Sequence, residues 1–270
     1  MDSQDKITRW VRPEILALTS YHVPDPGNLI KLDAMENPWS WPESLRAEWY
    51  TALDSVSLNR YPDPMATSFR HRAAEALGLP GPEWVLAGNG SDEILTILVR
   101  AFVGEGQRLR LPYPSYILYR TLADIQGATW EQIPFLDGWH LPAMFGEGDD
   151  DLRLVLLPNP NSPSGTVVPA EQIVELASTL PCPLVVDEAY ADFAEFNCLD
   201  LVQSHENILV TRTLSKSYGL AGIRFGFLVA QPALIAKLTN IKDSYNCDYL
   251  ATVAATAAMT AQDWLADVVN

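Results

Sequence analysis

The chain has 270 residues, of which 48% are hydrophobic and 19% charged, a composition typical of a folded protein rather than a disordered one. Its formal net charge of −16 argues against a nucleic-acid partner and against an anionic membrane surface. Cys182, Cys198 and Cys247 are too few for a disulfide scaffold and lack metal-ligand spacing, so we expect no metal site and a reduced, cytoplasmic setting. No stretch has the length and polarity that predict a signal peptide or a membrane span.

Taken in chain order, the sequence predicts an N-terminal arm followed by alternating helices and strands. Residues 1–42 are rich in proline and tryptophan and lack clear periodicity, which predicts an arm. Helical periodicity is found in residues 43–54, 67–77, 92–103, 115–126 and 170–178. Short apolar runs predict strands at 84–87, 108–111, 129–133, 152–157, 184–186, 208–212 and 226–229. This alternation predicts an α/β fold with a doubly wound, mostly parallel sheet.

The segment that follows the first predicted strand has the features of an anion site. Ligands of such sheets bind outside the carboxyl ends of the strands, so the residues after each strand are the candidates. Residues 88–93 (GNGSDE) precede a run with helical spacing. Gly90 permits a tight turn, Ser91 or Asp92 would cap the helix, and the free backbone N–H groups would attract an anion. An ordinary capped turn is the alternative interpretation.

Two further strand ends carry polar residues. The loop 158–165 (PNPNSPSG) combines proline stiffness with amide and hydroxyl groups, which suits either ligand recognition or a rigid connector. The strand 184–186 is followed by Asp187, and a partly buried carboxylate needs a cationic partner. That partner would be either the protonated ring nitrogen of a cofactor or a nearby arginine in a salt bridge.

The segment 213–224 (TLSKSYGLAGIR) places a lysine at the end of a strand. Poor solvation lowers the pKa of a lysine, and a neutral amine such as that of Lys216 can form a Schiff base with an aldehyde. Ser215 and Arg224 flank it, and both residue types bind phosphate well. A surface lysine is the alternative interpretation. Together the four segments supply an anion cradle, a carboxylate, a reactive lysine and an arginine, which are what pyridoxal 5'-phosphate (PLP) requires.

Several segments, taken in order along the whole chain, resemble one known family. They are residues 32–38 (LDAMENP), 60–62 (RYP), 88–93, 159–165, 187–190 (DEAY) and 213–224. The chain resembles the histidinol-phosphate aminotransferases, PLP-dependent enzymes of fold type I. The resemblance implies a three-layer α/β/α large domain. It also implies transfer of an amino group between glutamate and imidazole-acetol phosphate, giving histidinol phosphate and 2-oxoglutarate in histidine biosynthesis.

The resemblance also implies a role for each matching residue. Lys216 would bind the cofactor aldehyde and later move the substrate proton, Asp187 would pair with the pyridine nitrogen, and Tyr190 would donate to the phenolic oxygen of the ring. The other implied cofactor contacts are Tyr116 stacked on the ring, Gly90, Ser91, Asp92, Thr213, Ser215 and Arg224 around the phosphate, and Tyr61 at the phosphate of the neighbouring subunit. Tyr21 and Asn37 would lie near the substrate. The role of Tyr61 implies a homodimer.

This sequence departs from the family pattern in two places. Where family members often have Asn-Asn-Pro-Thr-Gly, the second asparagine is replaced by Ser162. Either Asn161 takes its role at the phenolic oxygen, which we favour, or Tyr190 acts alone. Family members also continue past the position of Asn270 into a small C-terminal domain with the substrate clamps. We therefore expect an arm (1–42), a large PLP-binding domain (43–245), and an interdomain helix with the start of a small domain that is largely missing (246–270).

Two alternatives to this function stay open on the sequence. One is another PLP enzyme of the same scaffold, such as an aromatic aminotransferase or a threonine-phosphate decarboxylase, since the motifs define the cofactor and not the substrate. The other is a fragment that binds the cofactor without completing turnover. In the main interpretation, the partners would be a small-molecule amino acid and a phosphorylated keto substrate.

Overall fold

The centre of the molecule is a seven-stranded sheet. The computed structural model describes residues 8–20, 22 and 25–270. The strands are β1 (Val85–Gly88), β2 (Arg108–Tyr113), β3 (Thr129–Pro134), β4 (Leu152–Pro158), β5 (Leu184–Asp187), β6 (Ile208–Thr213) and β7 (Gly226–Val229). Their order is β1-β7-β6-β5-β4-β2-β3. Only β7 runs antiparallel to its neighbours, so the predicted α/β fold with a mostly parallel sheet is confirmed.

Helices surround this sheet in the described part of the chain. They are α1 (Pro13–Leu16), α2 (Glu43–Leu53), α3 (Thr67–Ala76), α4 (Ser91–Phe102), α5 (Leu118–Gln126), α6 (Ala170–Thr179), α7 (Leu199–Ser204), α8 (Pro232–Leu238), α9 (Tyr249–Ala258) and α10 (Gln262–Val269). The helix predicted from residue 115 was wrong at its start, because residues 115–117 form a loop and the helix begins at Leu118. The segment 246–270, predicted to hold an interdomain helix, forms the two helices α9 and α10.

Two apolar clusters, one on each face of the sheet, form the core. On β5, Leu184 and Val186 belong to one cluster, whereas Val185 between them belongs to the other. Successive side chains of a strand point to opposite faces, so a strand buried on both faces is apolar throughout. Residues of α3, α6 and α9 contribute to the first cluster, and residues of α4, α5 and α8 to the second. The fold therefore has the three layers α/β/α that the resemblance implied.

One glycine on β7 permits the close packing of β7 against the segment that follows β1. Gly226 pairs with both Gly88 on β1 and Thr213 on β6. A Cβ atom at Gly226 would lie 2.4 Å from the backbone nitrogen of Ser91 and 2.7 Å from the carbonyl carbon of Gly90. Only glycine permits this close approach, which holds the start of α4 against β7 at the edge where β6 ends.

The end of the N-terminal arm lies along the segment after β6. The indole Nε1 of Trp41 donates a hydrogen bond to the carbonyl of Tyr218 at 2.8 Å, and Nδ2 of Asn37 donates to the carbonyl of Ser217 at 2.8 Å.

None of the helices in the described ranges is long and apolar enough to cross a membrane. The same residues contain no cluster of three or more histidine, cysteine, aspartate or glutamate side chains able to hold a metal ion.

Candidate active site

A cavity of about 180 Å³ lies at the carboxyl ends of β4, β5 and β6. All four strand-end segments singled out in the sequence contribute to its wall. The sequence-predicted residues that line it are Ser91, Asp92, Tyr116, Asp187, Tyr190, Thr213, Ser215, Lys216 and Arg224. The loop after β4 adds Pro160 and Ser162. The topology thus brings distant segments together at one edge of the sheet, as expected for this type of fold.

Lys216 extends its amine into this cavity from the segment after β6. Its Nζ donates a hydrogen bond to the carbonyl of Ala34 at 2.8 Å and lies 5.4 Å from the centre of the Tyr190 ring. Burial lowers the pKa of Lys216, and the positive charge of Arg224 acts in the same direction, whereas Asp92 and other nearby carboxylates oppose the shift. A lowered pKa increases the fraction of neutral amine, which is the form that attacks an aldehyde.

Asp187 lies buried at the last position of β5. Its Oδ2 accepts a hydrogen bond from the hydroxyl of Tyr119 at 2.7 Å, and its Oδ1 accepts one from Thr211 at 2.9 Å. Burial raises the pKa of Asp187, and the two hydrogen bonds oppose that rise. Among the described residues no arginine or lysine forms a salt bridge with Asp187, so its carboxylate faces the cavity without a cationic partner.

The part of the cavity wall formed by Arg224, Ser215 and the start of α4 has the features of an anion site. Arg224 places Nη2 at 3.3 Å from an oxygen of Asp92 and Nη1 at 3.4 Å from the hydroxyl of Ser215. Gly90, with a φ of +81°, precedes the first turn of α4, and a Cβ there would lie 2.9 Å from Nη2 of Arg224. The hydroxyl of Thr213 accepts a hydrogen bond from the backbone N–H of Ser215 at 3.1 Å. A guanidinium, hydroxyls and a helix N-terminus together form a suitable site for a phosphate.

The side of the cavity near Tyr190 contains the replaced asparagine position. Burial raises the pKa of Tyr190, and the nearby side chain of Ser162 opposes that rise. Asn161 is buried instead beside the cavity, where its Nδ2 donates to Ser164 Oγ at 2.8 Å and to the carbonyl of Pro114 at 3.3 Å. The Oδ1 of Asn161 is buried without a hydrogen-bond partner. The structure thus places Ser162, and not Asn161, in the wall of this cavity.

Tyr116 lies at the mouth of the cavity and is 39% exposed. Its hydroxyl donates a hydrogen bond to Asp92 at 3.3 Å, and its ring meets that of Tyr119 edge-on at 5.6 Å. Burial and the carboxylate of Asp92 raise the pKa of Tyr116. An exposed aromatic face at the mouth is suited to stacking on a planar ring.

Among the described residues, four predicted site residues do not line this cavity: Gly90 and Asn161, which were placed above, and Asn37 and Tyr61. Asn37 lines a larger neighbouring cavity of about 610 Å³ that shares Lys216 and Tyr190 with the first. Tyr61 is 76% exposed and stacks on Tyr245, with ring centres 4.4 Å apart. Tyr21 lies outside the described residues.

Comparison with known proteins identifies the family. The family "Aminotransferase class I and II" matches residues 28–268. A histidinol-phosphate aminotransferase of Rhodopirellula baltica is 70% identical over 264 residues, which cover 96% of this chain and 72% of that protein. The chain belongs to the histidinol-phosphate aminotransferase family. Histidinol-phosphate aminotransferase 1 of Nostoc sp. is 43% identical over 95% of this chain and 73% of its own length.

The fold of the chain matches that of a solved structure from this family. The crystal structure of histidinol-phosphate aminotransferase from Sinorhizobium meliloti in complex with pyridoxal-5'-phosphate superposes with a TM-score of 0.83 at 26% identity. The match covers 96% of this chain and 73% of that one. The histidinol-phosphate aminotransferase fold implied by the motifs is therefore confirmed.

Sequence reasoning missed two residues of this candidate site. Tyr119 lies in the first turn of α5, three residues after Tyr116 in the preceding loop, and a single tyrosine at the start of a helix carries no local signal of a role in the site. Thr211 is the first polar residue after the apolar run 208–210 of β6, and it lies opposite Asp187 in the parallel register. A hydroxyl in a fully buried strand position was the signal that could have identified it.

A buried ionic network behind the cavity was also missed. Arg212 places Nε at 2.7 Å from an oxygen of Glu188 and Nη1 at 2.7 Å from an oxygen of Asp192. The second oxygen of Asp192 accepts a hydrogen bond from Ser217. Arg212 therefore pairs with Glu188, the residue that follows Asp187 in the chain, and not with Asp187 itself. Because Glu188 and Ser217 adjoin Asp187 and Lys216, the network fixes the backbone on both sides of the site.

Proposed function

We propose that the chain transfers an amino group between glutamate and imidazole-acetol phosphate, with PLP held in the cavity at the ends of β4, β5 and β6. The observation that carries this proposal is the arrangement of charge in that cavity. A half-buried amine on Lys216, a buried carboxylate on Asp187 and the guanidinium of Arg224 all line this cavity. PLP has one group for each of these, an aldehyde, a protonated ring nitrogen and a phosphate.

The residues present fit this cofactor. Asp187 has no cationic partner among the described residues, although a buried carboxylate requires one, and a protonated pyridine nitrogen supplies it. Arg224, Ser215 and the N–H groups at the start of α4 form the phosphate site. Tyr190, beside Ser162, would donate to the phenolic oxygen of the ring. Bound PLP supplies an acceptor for the electron pair left at a substrate carbon when a proton is removed.

Each of the residues around the cofactor has its own role in this proposal. The amine of Lys216 binds the cofactor aldehyde and, when free and neutral, accepts a proton at Nζ from the carbon of a substrate bound beside it. The lowered pKa of Lys216, caused mainly by burial, favours this neutral form. Asp187 holds the ring nitrogen charged, and the exposed ring of Tyr116 covers one face of the cofactor. The larger cavity, which includes Asn37 and reaches Lys216, would hold the substrates.

The same proposal includes the domain bounds, the cellular location and the oligomeric state. Residues 43–245 form the PLP-binding domain, preceded by the arm, and residues 246–270 begin the connection to a small domain. The chain acts as a cytoplasmic homodimer, in which Tyr61 reaches the cofactor phosphate of the neighbouring subunit. Support for the last point comes from the high exposure of Tyr61, which lines neither cavity of its own chain.

The test is covalent attachment of the cofactor. The purified chain is incubated with PLP, reduced with borohydride and digested, and the modified peptide is identified by mass spectrometry. We expect the label on Lys216 and its loss in Lys216→Ala, whereas the control Lys237→Ala, on helix α8, keeps it. Undiminished specific labelling of Lys216→Ala would contradict the proposal.

A second measurement addresses the reaction itself. The PLP-loaded chain is mixed with histidinol phosphate, phenylalanine or O-phosphothreonine, and the change in the visible absorbance band is recorded with the products. We expect amino transfer from histidinol phosphate to exceed that from phenylalanine. Preference for phenylalanine, or decarboxylation of phosphothreonine, would indicate another enzyme of the scaffold, and a labelled chain without any transfer would indicate a cofactor-binding fragment.

A further inference from the structure

The two oxygens of the Asp187 carboxylate are held by two hydroxyls from different elements. Tyr119 on α5 and Thr211 on β6 are both fully buried, with 0% of each side chain exposed. Tyr119 donates to Oδ2 at 2.7 Å and Thr211 donates to Oδ1 at 2.9 Å. Thr211 also lies opposite Asp187 in the register of β5 and β6, so its hydroxyl is fixed by the sheet itself.

The two hydroxyls leave the carboxylate little freedom of orientation. A hydrogen bond to each oxygen fixes the plane of the group, and the Tyr119 and Thr211 side chains are packed without room to rotate away. Hydrogen bonds donated to a charged group favour its charged form and are stronger than those between neutral groups. We propose that Tyr119 and Thr211 are positioning residues, which hold the Asp187 carboxylate ionised and directed at the ring nitrogen of PLP. This inference rests on the proposed function.

The surroundings of Asp187 explain why such support is needed. Burial raises the pKa of Asp187, and the negative charge of Asp92 acts in the same direction. Tyr116 and Tyr190, which line the same cavity, are phenols whose own pKa values are raised, so they supply no positive charge. Lys216 and Arg224 also line this cavity, but neither forms a salt bridge with Asp187, and Arg224 pairs with Asp92 instead. The hydrogen bonds from Tyr119, Thr211 and the backbone N–H of Ala189 are what lower the pKa of the carboxyl group. Removal of one hydroxyl is therefore expected to raise that pKa further.

The experiment compares cofactor binding in three variants of the full chain. Tyr119→Phe and Thr211→Val each remove one hydroxyl with little change of shape, and Thr211→Ser retains it as the matched control. The probes are PLP and its 1-deaza analogue, in which carbon replaces the ring nitrogen. Dissociation constants are measured between pH 5 and pH 8, and urea unfolding checks that each variant is folded.

We expect Tyr119→Phe and Thr211→Val to weaken PLP binding by about tenfold, as loss of one hydrogen bond to a charged group implies. The acid side of the binding profile should move to higher pH, because Asp187 takes up a proton at higher pH when a donor is lost. Binding of the deaza analogue should change by less than about twofold, and Thr211→Ser should resemble the wild type.

Three results would count against the inference. Unchanged PLP affinity and pH profile in both variants would overturn it, and so would an equal loss of affinity for PLP and the deaza analogue, which would indicate a purely structural role. Failure of the wild type to bind PLP at all would overturn the proposed function together with this inference, so the two failures are distinguishable.

Discussion

At the scale of single residues, Asp187 illustrates a conflict between stability and cofactor binding. Its carboxylate is buried at 5% exposure without a cationic partner in the described part of the chain. Burial raises the pKa of Asp187, which means that at neutral pH the cofactor-free fold bears the free-energy penalty of a buried charge. The pairing with a protonated ring would remove that penalty when the cofactor binds.

We predict that Asp187→Asn makes the cofactor-free chain more stable at pH 7, by on the order of 1 kcal/mol, and prevents tight PLP binding. A carboxyl group with a raised folded-state pKa takes up a proton in the folded chain before it does so in the unfolded chain. The wild type therefore gains stability as the pH falls through the raised pKa, and the difference between the two proteins shrinks.

Urea unfolding at pH 7 and at pH 4.5 provides the measurement, with the exposed Asp267→Asn as the matched control. The control should not change the free energy of unfolding by more than about 0.5 kcal/mol. A cofactor-free Asp187→Asn protein that is less stable than the wild type at pH 7 would show that the buried carboxylate stabilises the fold.

At the scale of elements, the Arg212 network joins the ends of β5 and β6 behind the cavity. The side chain of Glu188 is fully buried and that of Arg212 is 6% exposed. Removal of one partner from such a pair leaves an uncompensated charge in the interior, which costs about 3–5 kcal/mol. Replacement of both partners by neutral side chains of similar shape removes that penalty.

We predict that Arg212→Met lowers the free energy of unfolding by about 3–5 kcal/mol, whereas the double variant Arg212→Met with Glu188→Gln is less destabilised than the single variant. Ser217→Ala should lower it by about 1.5–3 kcal/mol, since it loses one hydrogen bond to the Asp192 carboxylate. Equilibrium urea unfolding of these three variants, of the single variant Glu188→Gln and of the wild type tests this. Additive effects of the Arg212 and Glu188 substitutions would contradict it.

The elements also show how far the sequence could predict this structure. The strands were predictable because most of them contain a short apolar run bounded by polar residues, and β7 was placed at its observed limits, 226–229. Helices α7 and α8 have only six and seven residues, too few for a clear 3.6-residue period. Helix α9 is rich in alanine and apolar on most sides, so its sequence has no distinct buried face.

Within the site, residues that a local sequence pattern marks could be predicted, whereas residues that act through long-range contacts could not. Lys216 and Asp187 were identifiable because each follows an apolar strand, where the local sequence already predicts a ligand edge. Tyr119 and Thr211 act through contacts with a residue more than 20 positions away, which no local pattern indicates. The position of Ser162 beside Tyr190 likewise depends on how the loop after β4 folds, and not on its composition.

At the scale of the whole molecule, Tyr61 connects the chain to its proposed partner copy. Because its side chain lies outside both cavities of its own chain, we predict that any effect of Tyr61→Phe on cofactor binding acts through the dimer. We expect a dimer in sedimentation velocity and a PLP affinity that falls by about tenfold in Tyr61→Phe, as loss of one hydrogen bond to a charged group implies.

The exposed tyrosine Tyr50, which stacks on Trp49, offers the matched control, and Tyr50→Phe should leave the affinity unchanged. Affinities are measured above and below the concentration at which the dimer dissociates. A monomer at all concentrations, or equal affinity in wild type and Tyr61→Phe, would contradict the prediction.

The pairing of β1 with β7 has a consequence for the order of events during synthesis. The proposed phosphate site needs both the start of α4 and Arg224. The start of α4 follows β1 and Arg224 precedes β7, so the pairing of Gly88 on β1 with Gly226 on β7 holds these two parts of the site together. This contact closes a very long stretch of chain, so it forms late and slowly relative to local structure. A nascent chain therefore cannot retain PLP until β7 has left the ribosome, and cofactor capture reports on completion of the sheet.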